Sequence, residues 1–137
     1  DVSAERSYQV TEGGFMERTT LNTTSIFAKR LGGVFHTTCA ISPASGLTPD
    51  AVGKKPPANA TTAYWKDINA FDATTLWSLK LTCPGNRSYL LQVQGPKDQQ
   101  VFIAKAPDTP LPKSRNLVYY ETQGLRASFE LRLQEFR

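Results

Sequence analysis

The chain of 137 residues has one histidine, one methionine and two cysteines. Two cysteines and His36 fall short of the ligand set of a structural zinc site, so no metal and no cofactor is expected. No apolar run approaches the roughly 18 residues that a membrane-spanning helix needs, so no transmembrane segment is expected. The opening Asp1-Val2-Ser3-Ala4-Glu5-Arg6 is polar, and no signal peptide is expected there. Long runs of one charge are also missing. Lys and Arg number 16 against 12 Asp and Glu, a net charge of +4. The densest basic clusters are nevertheless pairs, Lys29-Arg30 and Lys54-Lys55. A nucleic-acid surface would carry a dense basic stripe with aromatics between the charges. Given its absence no nucleic-acid partner is expected, and the thin positive excess favours acidic partners weakly.

What is present suits one domain, 1–137, with a core of its own. Hydrophobic residues are 39% and charged residues 20%, a globular composition and not a disordered one. Cys39 and Cys83 are either one disulfide or two buried thiols, and the disulfide is the expected state for a small domain. Such a bond would contribute on the order of 4 kcal/mol by restricting the unfolded chain. Asn22-Thr23-Thr24, Asn59-Ala60-Thr61 and Asn86-Arg87-Ser88 are glycosylation sequons in a chain that traverses a eukaryotic secretory path. A bacterial periplasmic or surface protein would carry the disulfide without a glycan. Together these features point to a secreted, periplasmic or cell-surface location.

The dominant period is two. Trp77, Leu79, Leu81 and Cys83 alternate with Ser78, Lys80 and Thr82, the pattern of a half-buried strand. Tyr89, Leu91 and Val93 continue it. Gly95-Pro96-Lys97-Asp98 reads as a turn into Val101-Phe102-Ile103, which predicts a hairpin over 88–105. Phe35, Thr37, Cys39 and Ile41 share one face of a strand. Leu117-Val118-Tyr119-Tyr120 and the alternation Ala127, Phe129, Leu131, Leu133 are two more strands, with Gly124 allowing a turn between them. Residues 15–30 supply one or two others. The chain is therefore all-β, an antiparallel β-sandwich or a small β-barrel.

Two stretches read as loops. Residues 42–63 carry Pro43, Pro49, Pro56 and Pro57 without periodicity, and loops of that length are often functional. Residues 106–115 carry Pro107, Pro110 and Pro112 and should be stiff. Between them Trp65, Ile68 and Phe71 recur at a spacing that predicts a short helix near 64–73.

Catalytic signals are weak. His36 lies three residues before Cys39, but odd spacing on a strand sends the two side chains to opposite faces. Asp67, Asp72, Asp98 and Asp108 have no spacing that forces carboxylates to converge. Asp67-Ile68-Asn69-Ala70-Phe71-Asp72 lacks the glycine and terminal glutamate of an EF-hand loop. No catalytic residue is assigned. Aromatic residues are the better functional candidates. Tyr64-Trp65 follow the proline-rich loop, and one of Tyr119 and Tyr120 must point outward if 117–122 is a strand. Exposed Tyr and Trp suit recognition surfaces. With Lys54 and Lys55 they form the candidate binding set.

Leu79-Lys80-Leu81-Thr82-Cys83-Pro84, with Cys39 upstream, Gly124 and the aromatic Phe136, resembles the paired-cysteine strands of chaperone–usher pilus subunits. The resemblance implies an incomplete immunoglobulin-like domain completed by a neighbour's strand. Two features depart from it: the tail after Cys83 is short, and Phe136 is out of step with Phe129, Leu131 and Leu133. The leading expectation is a non-enzymatic domain that binds a protein or glycan partner through loops 42–65 and 106–120. The alternatives are an assembly subunit whose tails, 1–10 or 126–137, pair with a neighbour, and a barrel carrier of a small hydrophobic ligand.

Overall fold

The computed structural model describes residues 2–25, 27, 29–107 and 114–136. All its long elements are strands, joined into one antiparallel sheet that curls into a half-barrel. β1 (Val2–Thr11) and β2 (Gly14–Thr23) form a hairpin, with Gly13 supplying the positive φ of the turn. Beyond it come β3 (Lys29–Thr37), β4 (Ala40–Pro49) and β5 (Lys66–Cys83). The rest of the chain forms β6 (Arg87–Gln94), β7 (Gln99–Pro107), β8 (Ser114–Gly124) and β9 (Arg126–Phe136).

β5 is long enough to serve two neighbours on one edge. Its residues 76–83 pair with β6 and its residues 66–73 with β7, while β4 takes the opposite edge of both halves. The break recurs across the sheet. β6 pairs on its far side with β9, and β7 with β8. β9 then pairs with β2, and β8 with β3. β6 and β7 thus lie end to end, as do β8 and β9. This corrects the hairpin expected over 88–105. The turn at 95–98 exists, with Asp98 at φ 61°, but it re-aims the strand instead of reversing it. The turn expected at Gly124 is likewise a one-residue bend at Leu125.

The period-two pattern puts its apolar rows on the concave face. Trp77, Leu79, Leu91, Val93, Val101 and Val118 are fully buried there, with Leu31, Tyr120, Phe129 and Leu131 around them. Ring contacts tie the halves of the sheet together: Tyr120 lies 6.0 Å from Trp77 and 5.0 Å from Phe129, centroid to centroid. Gly33 faces Tyr120, and a Cβ there would come within 2.6 Å of the phenolic oxygen, so the ring's position requires glycine. The indole N–H of Trp77 donates to Gln99 Oε1 at 3.0 Å, which satisfies a fully buried amide. These side chains pack together as the core cluster of the concave face.

The disulfide Cys39–Cys83 is formed and extends the β4–β5 register by one pair beyond Ala40↔Thr82. The first part of the expected loop 42–63 is strand: β4 runs to Pro49, and the irregular part begins at Asp50. Prolines are tolerated in β4 because it is an edge strand, where a missing N–H need not break a ladder. Register shifts on both sides of Ser45, with Gly46 at φ 72°, hide its periodicity. The helix near 64–73 is absent. Thr62–Tyr64 is a single 3-10 turn, and β5 follows directly. A bulge at Asp67, φ 52°, resets the alternation, so Trp65 and Phe71 end on opposite faces. Of the expected loop 106–115, Pro107 closes β7 and Ser114 opens β8. Asp108, Pro110 and Pro112 lie outside the described residues. Among the described residues no helix is long and apolar enough to cross a membrane.

Candidate binding groove

The convex face of β7 and β8 is built from the residues that alternate with the core. Ala104, Ala106 and Leu117 are buried there beneath Trp65 and Tyr119. Trp65 meets the Tyr119 ring at 5.7 Å, and Tyr119 stacks on the fully buried Phe102 at 6.1 Å. The segment before β5 thus folds across this face and covers a second, smaller apolar cluster.

Beside that cluster a groove of about 930 Å³ opens. Gln100 and Phe102 of β7, Glu121 and Gln123 of β8, Arg30 of β3 and Asp72 of β5 line its floor and sides. Lys54 and Lys55 come to it from the 50–61 loop, and Lys97 from the turn before β7. The loop is held by Asp50, whose carboxylate accepts the backbone N–H of Lys54 at 2.6 Å and of Val52 at 3.1 Å. The bond from Lys54 is the chief reason the Asp50 carboxyl is held below its ordinary pKa. Further along, Asn59 Oδ1 accepts the N–H groups of Thr61 and Thr62, closing the loop before the 3-10 turn.

Charge on the groove divides into paired and unpaired groups. Glu121 is nearly fully buried and takes Arg30 Nε at 2.9 Å on both oxygens, with Arg30 Nη2 also donating to Oε1. The Tyr119 hydroxyl completes the set by donating to Glu121 Oε2 at 2.7 Å. Burial, then the bonded carboxylate, raises the Tyr119 pKa well above the tyrosine value. Asp72 accepts Lys54 Nζ at 3.4 Å and Gln100 Nε2 at 2.5 Å. Lys55 and Lys97 have no carboxylate in ion-pair reach among the described residues. The Gln100 Oε1 is buried with no donor.

Of the expected binding residues, the groove gathers Lys54 and Lys55. Tyr119 supports its floor through Glu121, and Trp65 packs on Tyr119. Tyr64 stays exposed, at 67%, on the 3-10 turn. Tyr120, the other half of the adjacent pair, points into the core and is 4% exposed, so its ring is unavailable to a partner. Arg30, Lys97 and Gln100 were not among the expected binding residues. Only the backbone pairing that sets 30 near 123, and 72 beside 100, brings them together. Of the sequons, Asn59 and Asn86 are exposed in loop and turn, and Asn22 is half-buried opposite Arg126.

Of the weighed catalytic groups, Asp72 and Asp98 both line the groove, and Asp108 lies outside the described residues. Cys39 is oxidised and His36 is exposed on β3. Asp67 faces Lys105 at 3.8 Å. Of the 126–137 tail, expected to pair with a neighbour, Arg126–Phe136 is β9 and is paired on both edges, with β2 and β6. No family model matches the chain, and neither does any curated protein or solved structure.

Proposed function

We propose that the chain is a non-enzymatic, extracytoplasmic binding domain, and that the groove under the 50–61 loop takes a carboxylate-bearing segment of a protein or glycan partner. The observation that carries this reading is the groove's Lys55 and Lys97, neither in an ion pair among the described residues although Asp98 also lines the groove, together with the donor-less Gln100 Oε1. An ammonium pair wants carboxylate oxygens, and a buried amide oxygen wants an N–H or O–H donor. A peptide or an acidic sugar offers both. The disulfide supports a location outside the reducing cytosol.

Binding of poly-glutamate and of polygalacturonate, followed by Trp65 fluorescence, tests the proposal. Saturable binding that weakens in high salt is expected. Lys55→Glu with Lys97→Glu is expected to weaken it at least tenfold, while Arg87→Glu, at the start of β6 and outside the groove lining, leaves it unchanged. No binding of either polymer, or equal loss with Arg87→Glu, would sink the reading.

A further inference from the structure

Strand edges expose unpaired N–H and C=O groups, and folded chains blunt them with proline, bulges, glycine or charge. Among the described residues β1, β3 and β4 each pair with a single neighbour. β4 is interrupted by Pro43, by Gly46 and by two register shifts. β3 opens with Lys29-Arg30 and contains Gly32-Gly33. Of these devices β1 has only the adjacent opposite charges Glu5 and Arg6, with no bulge. It pairs with β2 without interruption from Val2↔Thr23 to Thr11↔Gly14, and it contains no proline, glycine or lysine.

β1 also carries an uncovered row on the concave side. Val2, Ala4, Arg6, Tyr8 and Val10 share the face of Leu21 and Thr19, yet Val2 is 54%, Tyr8 65% and Val10 87% exposed. We propose that β1 pairs antiparallel with β1 of a second copy, in the register centred on Ser7, so that two half-barrels join into one continuous sheet. A two-fold axis normal to the sheet keeps the concave faces together only when like-facing residues oppose one another. A register centred on Glu5 sets Glu5 against Glu5, and one centred on Arg6 sets Arg6 against Arg6. Centred on Ser7, Arg6 opposes Tyr8 of the second copy, Ala4 opposes its Val10, and Glu5 its Gln9. The pairing then runs from Ser3 to Thr11 with no like charges opposed. An arginine over a tyrosine ring, and alanine against valine, are favourable cross-strand pairs.

The test uses the full chain. Sedimentation across a concentration series is expected to show a reversible monomer–dimer equilibrium. Ser7→Cys is expected to cross-link into a dimer under mild oxidation, since the native cysteines are already bonded to each other. Ser3→Cys, which opposes Thr11, is expected not to. Tyr8→Lys sets a lysine against Arg6 of the second copy and is expected to raise the dimer dissociation constant at least tenfold. Within its own chain that lysine faces Glu17, so the fold is retained, as circular dichroism would verify. A monomer at every concentration overturns the proposal and leaves the edge to a foreign strand. So does a dimer that Tyr8→Lys leaves intact, or equal cross-linking through Ser3→Cys.

Discussion

Tyr119 and Tyr120 are adjacent in the chain and serve opposite faces of β8. Tyr120 belongs to the concave side, packed between Trp77 and Phe129 against the glycine at 33. Tyr119 belongs to the convex side, packed between Trp65 and Phe102, with its hydroxyl on Glu121. Both sides bury aromatic rings. The concave side is a continuous core fed by most strands, whereas the convex side is a small cluster closed by one loop and bordered by ion pairs. Period-two alternation builds both, and what separates them is how many neighbours each side chain finds. The concave face therefore determines whether the chain folds, and the convex face carries the groove proposed to take a partner.

The sharpest way to break this comparison is to truncate one tryptophan on each side. Trp77→Ala empties a fully buried site and removes the donor to Gln99. It is expected to cost about 3–5 kcal/mol, at the upper end of core truncations. Trp65→Ala removes a half-buried ring from above the small buried cluster, and about 1–2 kcal/mol is expected, less than a full aromatic burial. Urea unfolding of both variants reads the difference. Equal losses would mean that the convex cluster is a second core and not a covered platform.

The concave face was legible in the sequence because its alternation is regular. Trp77, Leu79, Leu81, Leu91, Val93, Phe129 and Leu131 all lie on the face their spacing assigns. The pairing was not legible. Gly95-Pro96-Lys97-Asp98 has the composition of a reversing turn, and only the length of β5 shows that it bends a strand along one partner. β4 was obscured by prolines that an edge strand tolerates, and Trp65, Ile68 and Phe71 imitate a helix because the bulge at Asp67 shifts the phase. The groove was legible only at Lys54-Lys55. Arg30, Asp72, Lys97 and Gln100 come from four separate segments, and nothing local marks them as neighbours.

Alkali sharpens the comparison next. Both tyrosines have pKa values raised above the ordinary 10.0, first by burial. A raised tyrosine pKa means that the folded state keeps its proton where the unfolded state loses it. Stability is therefore full below about pH 10 and falls as pH rises beyond it. Tyr119→Phe and Tyr120→Phe are each expected to flatten that fall by their own share. At neutral pH they differ: Tyr119→Phe removes a bond to a carboxylate and is expected to cost about 1–2 kcal/mol. Tyr120 has no hydrogen-bond partner among the described residues, and Tyr120→Phe is expected to cost less. The check is the urea midpoint of each variant from pH 7 to 11. A neutral-pH cost larger for Tyr120 than for Tyr119 would reverse the assignment.

The smallest expected effect lies on the acid side and belongs to the convex face alone. His36 pairs with Leu117 on that face, near Arg115, whose Nε is buried without a hydrogen-bond partner. Burial, then the Arg115 charge, lowers the His36 pKa below 6.5. The unfolded imidazole thus takes up its proton at a higher pH than the folded one. Its contribution to stability is complete above pH 6.5 and is lost as pH falls through the folded value. Because the ring is largely open to water, the loss is smaller than either tyrosine effect. NMR titration of the single imidazole is expected to give a midpoint below 6.5 that moves upward in Arg115→Gln. Unfolding midpoints at pH 8 and 5 are expected to converge in His36→Gln relative to the native chain. A midpoint at or above 6.5 would mean that Arg115 turns away from the ring, and that the convex face contributes no acid-sensitive element.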